Sequence, residues 1–539
     1  MKILTAAEMG AADRRTVADS GVGLGELMER AGEGVATFCL RHYPLARRLV
    51  VVCGKGNNGG DGLVAARVLA GAGCEVRVVL LGKTGEVKGE AAMALERLRF
   101  EAASMVLDEV VEETELAGVF TAAALVIDAV VGTGFKPPLR GLAVAVREAL
   151  AGLKVPVVAV DLPSGWDADS VEQVCEGAFR ADAVVTFTAP KLAHVFGHLT
   201  CGALDGGTFG PVVVVEIGSP AAAVVSATGL SWTGSAKVLA EAPRGVNVNK
   251  GRVGHVLVVG GSRGKAGAAG MASLAALRAG AGLVTAAVPK SIANLVSGVA
   301  PELMVEPLAE CERGSVSFKD LEVIKLGSLL KKISVVAVGP GLSTVGDAPE
   351  FARQMVEKLS HPVVVDADAL NAFEGRSRFP KGEGRVIVLT PHPGEMARLV
   401  GMTVKEVEAD RVGLARRFAT EHQVTLVLKG WRTLVAHPDG SVGVNTTGNP
   451  AMAKGGSGDI LTGIIAAMLA QFPDDVARAV EAAVYLHGLA ADCCVNGGAA
   501  RGMDEHTVLA TDTLAHLSDA FRYRVKDADG LTWICGLRG

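Results

Sequence analysis

Residues 49–81 read LVVVCGKGNNGGDGLVAARVLAGAGCEVRVVLL, and this stretch decides the fold of the first half of the chain. The apolar run 49–53 is typical of a buried strand, and the glycine-rich segment 54–62 predicts a loop. Helix-forming residues occupy 63–70, and residues 75–81 have the pattern of a second strand. Strand, loop, helix and strand in this order predict a βαβ unit with its ligand loop at the carboxyl end of the first strand.

Polar residues accompany two further predicted strands, 124–131 and 155–160. Because the carboxyl ends of strands in a doubly wound sheet meet at one crevice, we expect Asn58, Asp128 and Ser164 to lie together. Their oxygen atoms suit a monovalent cation better than zinc. Each residue alone is also a common turn former, so only the set predicts a site.

The bulk composition indicates an α/β protein with at least two domains. The chain has 539 residues, 49% of them hydrophobic, with 68 glycines and few aromatics, which suits short valine-rich parallel strands. A net charge of -5 without a basic patch argues against nucleic-acid binding. Nine cysteines without metal spacing, and no apolar signal core or membrane-spanning run, predict a cytoplasmic protein with reduced thiols.

The second half repeats the pattern of short apolar runs that end in glycine or polar residues. These runs are 255–259, 283–288, 335–338, 362–365, 386–389 and 424–428. They predict a second, largely parallel sheet. The Ala/Ser/Thr/Gly-rich segment 220–242 interrupts the pattern, so we place the domains at residues 1–219 and 228–525, with a linker at 220–227.

Residues 448–469 read GNPAMAKGGSGDILTGIIAAML and carry the strongest chemical signal of this half. The glycine loop 455–458 before a helix is suited to binding phosphate through backbone N–H groups. Asp459 would repel phosphate, but it makes sense as the base that takes a proton from an attacking hydroxyl. Alone, the motif could also be a glycine-rich turn whose Asp favours the helix N-terminus.

His392 and Lys429 stand at predicted strand ends that face the same edge of the second sheet. A histidine between two prolines is more often structural, and a lysine is more often a solvated surface residue. Their common position with Asp459 favours ligand contact instead. Residues 429–433 supply cationic and hydroxyl groups suited to nucleotide phosphate.

Four segments of the first half together resemble the NAD(P)H-hydrate epimerase family. They are residues 57–62 (NNGGDG), 128–134 (DAVVGTG), 161–165 (DLPSG) and 186–191 (TFTAPK), and the resemblance covers residues 1–220. It implies a Rossmann-like doubly wound domain in which Asn58, Asp128 and Ser164 hold potassium and Asp161 lies at the reacting carbon. The implied substrate contacts are Asn57, Asn58, Gly59, Gly60, Asp61, Gly132, Thr133, Gly134, Phe135, Lys136, Pro137, Pro138 and Asp161.

The second half resembles the ribokinase-like superfamily, and within it the ADP- or ATP-dependent NAD(P)H-hydrate dehydratases. The motifs are residues 339–342 (GPGL), 390–395 (TPHPGE), 445–448 (NTTG) and 455–459 (GGSGD), and the resemblance covers residues 228–520. It implies an α/β/α domain in which Ala268, Gly341, His392 and Asp459 contact the hydrate. The implied nucleotide contacts are Lys429, Gly430, Trp431, Arg432, Thr433 and Gly458. Lys265 departs from the family, which usually has a tyrosine there.

The two resemblances imply a bifunctional repair enzyme that acts on small molecules, and we separately expect a homo-oligomer. The first domain would interconvert the R and S forms of hydrated NADH and NADPH, with Asp161 assisting loss and re-addition of the ring hydroxyl. The second would use ADP, or ATP, and magnesium to phosphorylate the S form before phosphate is eliminated. Three alternatives remain: a vitamin-precursor or sugar kinase in the second half, a non-catalytic binding module in the first, and a nucleotide-sensing scaffold.

Overall fold

The computed structural model describes residues 1–102, 105–200, 210–318, 327, 329–376, 379–496 and 502–537. The chain divides into two compact units. One unit consists of Met1–Leu230 together with Val525–Arg538, and the other consists of Ser231–Arg524. The segment that the sequence marks as a linker, 220–227, belongs to the first unit, where the Ala223 side chain is buried.

Seven parallel strands form most of the sheet of the first unit. They are β1 (Arg48–Cys53), β2 (Glu75–Leu81), β3 (Val106–Val110), β4 (Leu125–Ala129), β5 (Val157–Val160), β6 (Ala183–Phe187) and β7 (Val212–Val215). β1 lies between β2 and β4, so the chain leaves the middle of the sheet in one direction and returns to the other side. This reversal opens a crevice at the carboxyl ends of β1 and β4, where ligands bind in such sheets.

Both faces of this sheet are covered. Successive side chains of a strand point to opposite faces: Val51 and Cys53 belong to one apolar cluster, and Val50 and Val52 to the other. This double burial explains why the strands are runs of valine rather than alternating patterns. The α-helices of the first unit are Ala6–Ser20, Leu24–His42, Asn57–Gly71, Glu90–Glu101, Leu142–Ala151 and Leu192–Phe196.

The helix after β1 begins at Asn57, six residues before the start that the sequence predicts. The predicted loop is therefore mostly the first turns of this helix. Glycines allow this because the helix lies against the sheet: a Cβ at Gly59 would be 1.9 Å from the carbonyl oxygen of Gly54. A Cβ at Gly62 would be 2.5 Å from that of Ala129. The glycines thus serve close packing here more than loop flexibility.

The second unit contains a ten-stranded sheet. Its strands are β8 (Leu230–Trp232), β9 (His255–Val259), β10 (Leu283–Pro289), β11 (Met304–Leu308), β12 (Val335–Val338), β13 (Val363–Val365), β14 (Ile387–Leu389), β15 (Thr425–Leu428), β16 (Leu434–Ala436) and β17 (Val442–Val444). Their order is β11-β10-β9-β12-β13-β14-β15-β16-β17-β8. The seven strands from β11 to β15 are parallel, and β16 and β17 add an antiparallel edge.

Helices cover this second sheet, and Ser457–Gln471 is buried along most of its length. It packs closely on the helix Ala266–Arg278, because a Cβ at Gly463 would lie 2.0 Å from the carbonyl oxygen of Ala272. The other α-helices are Ala293–Ser297, Ala348–Lys358, Asp368–Asn371, Pro393–Val400, Val404–Ala409, Arg411–His422, Val476–Asn496, Ala510–Ala515 and Leu517–Arg522.

The C-terminal segment returns to the first unit. Strand β18 (Thr532–Cys535) pairs antiparallel with β7 and gives the first sheet its eighth strand. The Trp533 side chain packs into the apolar cluster of that unit. The predicted α/β class with two largely parallel sheets is confirmed. No helix in the described part of the chain is long and apolar enough to cross a membrane.

Candidate active sites

The crevice between β1 and β4 opens into a cavity of about 890 Å³ in the first unit. Eight of the residues predicted to contact substrate line it: Asn57, Asn58, Asp61, Gly132, Thr133, Gly134, Phe135 and Asp161. They come from the start of one helix, the loop after β4 and the end of β5. Residues separated by about a hundred positions in the sequence therefore meet at the sheet edge that the pattern predicts.

The other predicted contacts of this set lie outside the cavity wall. Gly59 and Gly60 are buried behind it, and Gly60 faces the Met28 side chain. Lys136 points to the surface, where its Nζ lies 2.7 Å from Asp167 and 3.1 Å from Asp169. Pro137 and Pro138 follow it and are joined by a cis peptide bond.

Asp161 is the most heavily bonded side chain of the cavity. Its Oδ1 accepts hydrogen bonds from Thr186 Oγ1 at 2.9 Å and from Lys191 Nζ at 2.8 Å. Its Oδ2 accepts from the Thr133 amide at 2.8 Å and from the Thr133 hydroxyl. The backbone of Asp161 has a φ of 66°, a conformation that costs free energy for a non-glycine residue. The surrounding structure holds this carboxylate in place.

Electrostatics keep Asp161 ionised. Burial raises the pKa of a carboxyl group, but the Lys191 ammonium, the nearby His194 and the hydrogen bonds together hold the pKa of Asp161 below its ordinary value. His194 Nε2 lies 2.6 Å from the carbonyl oxygen of Asp161, and burial lowers the pKa of that imidazole to about 4. The site therefore has a permanent carboxylate paired with a buried ammonium.

Of the three residues predicted to bind a cation, Asp128 and Ser164 are in direct contact, and Asn58 lines the cavity. Asp128 and Ser164 are fully buried, and the Ser164 hydroxyl donates to Asp128 Oδ1 at 2.6 Å. Asp128 has no ion pair among the described residues, and burial raises its pKa to about 6. The Asn58 Nδ2 atom is buried without a hydrogen-bond partner within the described ranges. A monovalent cation would compensate the buried Asp128 carboxylate, so the charge of this group fits potassium.

The sequence patterns by themselves indicate no role for Asp13, Thr186, Lys191 or His194. Lys191 and Thr186 lie in the motif 186–191 that supports the family resemblance, so a signal for them was present in the sequence. Asp13 lies on the helix Ala6–Ser20 and lines the cavity. Nothing in its local sequence indicates that position, because the helix reaches the cavity only through tertiary packing.

In the second unit, Asp459 lies in the first turn of the helix Ser457–Gln471, as the motif predicts. Its side chain is neither fully buried nor fully exposed. Burial and the nearby carboxylates Asp366, Asp368 and Glu395 raise the pKa of Asp459 to about 6, and Lys429 opposes the rise. A carboxylate with this pKa is suited to accept a proton near neutral pH.

Lys429 is not a solvated surface lysine. Its Nζ lies 3.0 Å from Asp366 Oδ1 and 3.7 Å from Glu395 Oε2, and its side chain is 19% exposed. Asp366 Oδ2 also accepts from Thr462 Oγ1 at 2.8 Å, which ties it to the helix that carries Asp459. A Cβ at Gly458 would lie 3.3 Å from the Lys429 Nζ. The cation is thus next to the helix N-terminus, where phosphate binding is expected.

His392 is the N-cap of the helix Pro393–Val400. Its Nδ1 accepts hydrogen bonds from the amides of Gly394 at 3.0 Å and Glu395 at 3.3 Å, which leaves the proton of the neutral ring on Nε2. Burial lowers the pKa of His392. The ring is half-exposed, and Lys429 and Glu395 affect its pKa as they affect that of Asp459. The two predicted hydrate contacts therefore share charged neighbours.

The remaining predicted residues of the second unit lie around this group. Ala268 and Gly341 are adjacent, since a Cβ at Gly341 would be 2.9 Å from the Ala268 Cβ. Lys265, which replaces the usual tyrosine, places its Nζ 3.1 Å from Asp368 Oδ2. The Arg432 guanidinium is buried, lies 4.3 Å from the ring centre of Trp431 and donates to a backbone carbonyl at 2.7 Å.

The predicted nucleotide-binding segment 429–433 contains two residues with positive φ angles. Gly430 and Arg432 both have positive φ angles, of 134° and 51°. The Thr433 hydroxyl donates to the carbonyl of Gly430 at 3.2 Å, and the Arg411 guanidinium donates to the carbonyl of Trp431. Residues 430–433 therefore form a tight, internally hydrogen-bonded turn directly after Lys429.

Each unit has its own polar group of titratable residues at the carboxyl edge of a parallel sheet, which is the arrangement of an α/β enzyme with two separate active sites. The family model described as "YjeF-related protein N-terminus" matches residues 24–193, and the model described as "NAD(P)H-hydrate dehydratase" matches residues 256–513. A bifunctional NAD(P)H-hydrate repair enzyme of Moorella thermoacetica is 40% identical over 538 residues, covering 97% of both chains.

Two further proteins are similar to this chain. The bifunctional NAD(P)H-hydrate repair enzyme of Escherichia coli is 36% identical over 94% of this chain and 91% of its own. The crystal structure of an ADP/ATP-dependent NAD(P)H-hydrate dehydratase from Bacillus subtilis is 32% identical with a TM-score of 0.45, and covers 54% of this chain and 96% of its own. The chain belongs to the family of bifunctional NAD(P)H-hydrate repair enzymes, and the family resemblance of its motifs is confirmed.

Proposed function

We propose that the second unit dehydrates the S form of hydrated NADH and NADPH at the expense of ADP. The observation that carries this proposal is the position of Asp459, a carboxylate with a raised pKa, at a helix N-terminus beside Lys429. Asp459 takes the proton of the ring hydroxyl while the hydroxyl oxygen attacks the terminal phosphoryl group of the nucleotide. The amides of residues 455–458 and the Lys429 ammonium stabilise the charge on that group.

Phosphorylation makes the ring oxygen a good leaving group. The electron pair of the C–O bond then departs with phosphate, a neighbouring carbon loses a proton, and the dihydropyridine ring of NAD(P)H is restored. His392 is neutral with its proton on Nε2, so it is suited to donate a hydrogen bond to the nicotinamide portion of the hydrate. Ala268 and Gly341 would contact the hydrate, and Gly458 would contact the nucleotide. The turn 429–433 provides the remaining nucleotide contacts.

The first unit would interconvert the two epimers so that both reach dehydration. The permanent carboxylate of Asp161 is suited to stabilise the ring cation that forms when the hydroxyl leaves. Asn57, Asn58, Asp61 and the loop 132–135 line the cavity that would hold the nicotinamide ring.

Potassium and magnesium are the expected cofactors. Potassium would be held by Asn58, Asp128 and Ser164, where it would supply a fixed positive charge near the cavity. For magnesium, no group of three His, Cys, Asp or Glu side chains in the described ranges is arranged as a metal site. This fits an ion that binds through nucleotide phosphates and one or two of the carboxylates around Lys429.

The potassium site has a test that does not depend on activity. Potassium chloride should raise the thermal unfolding temperature more than choline chloride at the same ionic strength. Asp128→Asn should abolish that difference, since it removes the carboxylate that the cation neutralises. An equal response of both proteins to potassium would contradict the assignment.

The function is tested with mixed R and S hydrates of NADH and NADPH, with ADP and ATP supplied separately. Full recovery of NAD(P)H absorbance with release of free phosphate supports both activities. Recovery of only the S fraction would refute the proposed epimerase activity. A phosphorylated product that accumulates would indicate a kinase instead. We also propose a cytoplasmic location, since the cysteine pattern of the sequence predicts reduced thiols. We also expect a homo-oligomer, which sedimentation measures.

A further inference from the structure

Loss of the ring hydroxyl in the first unit requires a proton donor. The C–O bond breaks with its electron pair on oxygen, and the ring nitrogen lone pair forms a C=N double bond, leaving a cation. Hydroxide is a poor leaving group, so the oxygen must take up a proton and depart as water. Re-addition of water to the opposite face returns that proton, so the donor is regenerated and the reaction is balanced.

Asp161 cannot be this donor. Each of its carboxylate oxygens accepts two hydrogen bonds, from Thr133 on one side and from Thr186 and Lys191 on the other. Lys191 Nζ bonds to Asp161, to Thr186 Oγ1 at 2.7 Å and to a backbone carbonyl at 3.4 Å. The Lys191 ammonium is the ion-pair partner of the buried Asp161 carboxylate, so a proton transferred from Lys191 would leave that carboxylate unpaired. The pair is therefore suited to stabilise a cation rather than to exchange a proton.

Two further aspartates of the cavity wall, Asp13 and Asp61, lack such donors among the described residues, and Glu90 is the third other carboxyl group of that wall. Asp13 comes from the helix Ala6–Ser20 and Asp61 from the helix Asn57–Gly71, and both line the cavity wall. The Asp13 Oδ1 atom is buried without a hydrogen-bond partner in the part of the chain that the structure describes. No donor to the Asp61 carboxyl is present among those residues either. Carboxyl groups in this state favour the protonated form.

We propose that Asp61 is the general acid of the epimerase site, which protonates the departing ring hydroxyl, and that Asp13 positions this proton by keeping a second carboxyl beside it. The inference rests on the proposed epimerase function of the first unit. It divides the work among three carboxyl groups: Asp161 remains an anion that stabilises the ring cation, and Asp61 carries the proton that moves.

The electrostatics agree with this division. Burial raises the pKa of Asp61 well above its ordinary value, and the charges of Asp161 and Asp13 raise it further, while Lys191 opposes them. Burial also raises the pKa of Asp13. The Cys53 thiol remains neutral, because burial and then the charge of Asp61 raise its pKa. The charged groups that face Asp61 across the cavity are Asp13, Lys55, Glu90, Arg140, Asp161 and Lys191.

The test is the pH dependence of kcat/KM for epimerisation of a single pure epimer by the full-length protein, corrected for the uncatalysed reaction. For the wild type we expect a decline as pH rises through the pKa of Asp61, because only the protonated carboxyl can donate. Asp61→Asn should reduce kcat/KM by about 10²–10⁴-fold, and Asp61→Glu should restore part of it. Asp13→Asn should move the decline to lower pH, because removing a negative neighbour lowers the pKa of Asp61.

A matched control is Asp19→Asn, which changes an exposed carboxylate on the same helix as Asp13 and should leave rate and pH profile unchanged. Circular dichroism and urea unfolding report that the first unit of each variant is folded, and ADP-dependent dehydration of the pure S hydrate reports that the second unit is intact. Full activity of Asp61→Asn, or a wild-type pH profile in Asp13→Asn, would overturn the assignment of that residue. A wild type that does not epimerise at all would instead refute the proposed function of the unit.

Discussion

Replacing Asp459 by Asn should separate catalysis from stability in the second unit. The substitution keeps the size of the side chain and removes both its charge and its basicity. Because Asp459 is proposed to accept the proton of the attacking hydroxyl, dehydration should fall by about 10²–10⁴-fold. The same change should make the folded protein more stable, because the wild-type structure holds this carboxylate among other carboxylates.

The gain in stability follows from the pKa. The pKa of Asp459 rises from 3.8 to about 6 in the folded protein, so ionisation is harder there than in the unfolded chain. A rise of about two units corresponds to about 3 kcal/mol at most, and partial exposure reduces this to about 1–3 kcal/mol. A carboxyl with a raised folded-state pKa stabilises the fold only while it is protonated. The variant should therefore gain most above about pH 6 and little below pH 4.

The assay combines urea unfolding at several pH values with ADP-dependent recovery of NAD(P)H from pure S hydrate. In the wild type, dehydration should decline as pH falls through about 6, because Asp459 then becomes protonated. The matched control is Asp474→Asn, which changes an exposed carboxylate after the same helix. It should leave rate and stability unchanged.

Three results would contradict all or part of this reasoning. Near-normal dehydration by Asp459→Asn would exclude the carboxylate as the base. A variant less stable than the wild type at neutral pH would show that the neighbouring carboxylates do not destabilise the ionised form. Loss of activity with unchanged stability would agree with Asp459 as the base but would refute the electrostatic explanation of its pKa.

Three further substitutions test other parts of the structure. Gly59→Ala should destabilise the first unit by about 1–3 kcal/mol in urea unfolding, since its Cβ would lie 1.9 Å from a backbone carbonyl oxygen. Its control is Gly71→Ala, in open space on the same helix, which should be neutral or stabilising in the same measurement. Lys429→Gln should weaken nucleotide binding and move the acid limb of dehydration to higher pH, because its charge lowers the pKa of Asp459. Lys191→Met should abolish epimerisation and cost about 3–5 kcal/mol, because it leaves a buried carboxylate unpaired; unimpaired dehydration by this variant would show that the second unit is intact.

Local sequence was sufficient for most of the sheet framework. Strands β2, β9 and β12 match their predicted ranges, and the other predicted strands differ by one or a few residues at their ends. Valine-rich runs between polar ends predict buried parallel strands because both faces of such strands exclude water. The position of Asp459 in the first helical turn also followed from its motif.

Tertiary structure decided the features that depend on residues far apart in the chain. The sequence does not indicate that β18 returns to β7, because a four-residue strand carries no information about a partner more than three hundred residues away. It does not show that Lys429 pairs with Asp366, or that Asp13 reaches the cavity around Asp161. Periodicity records which face of an element is buried, but burial, pairing and pKa shifts arise only when separate elements pack together.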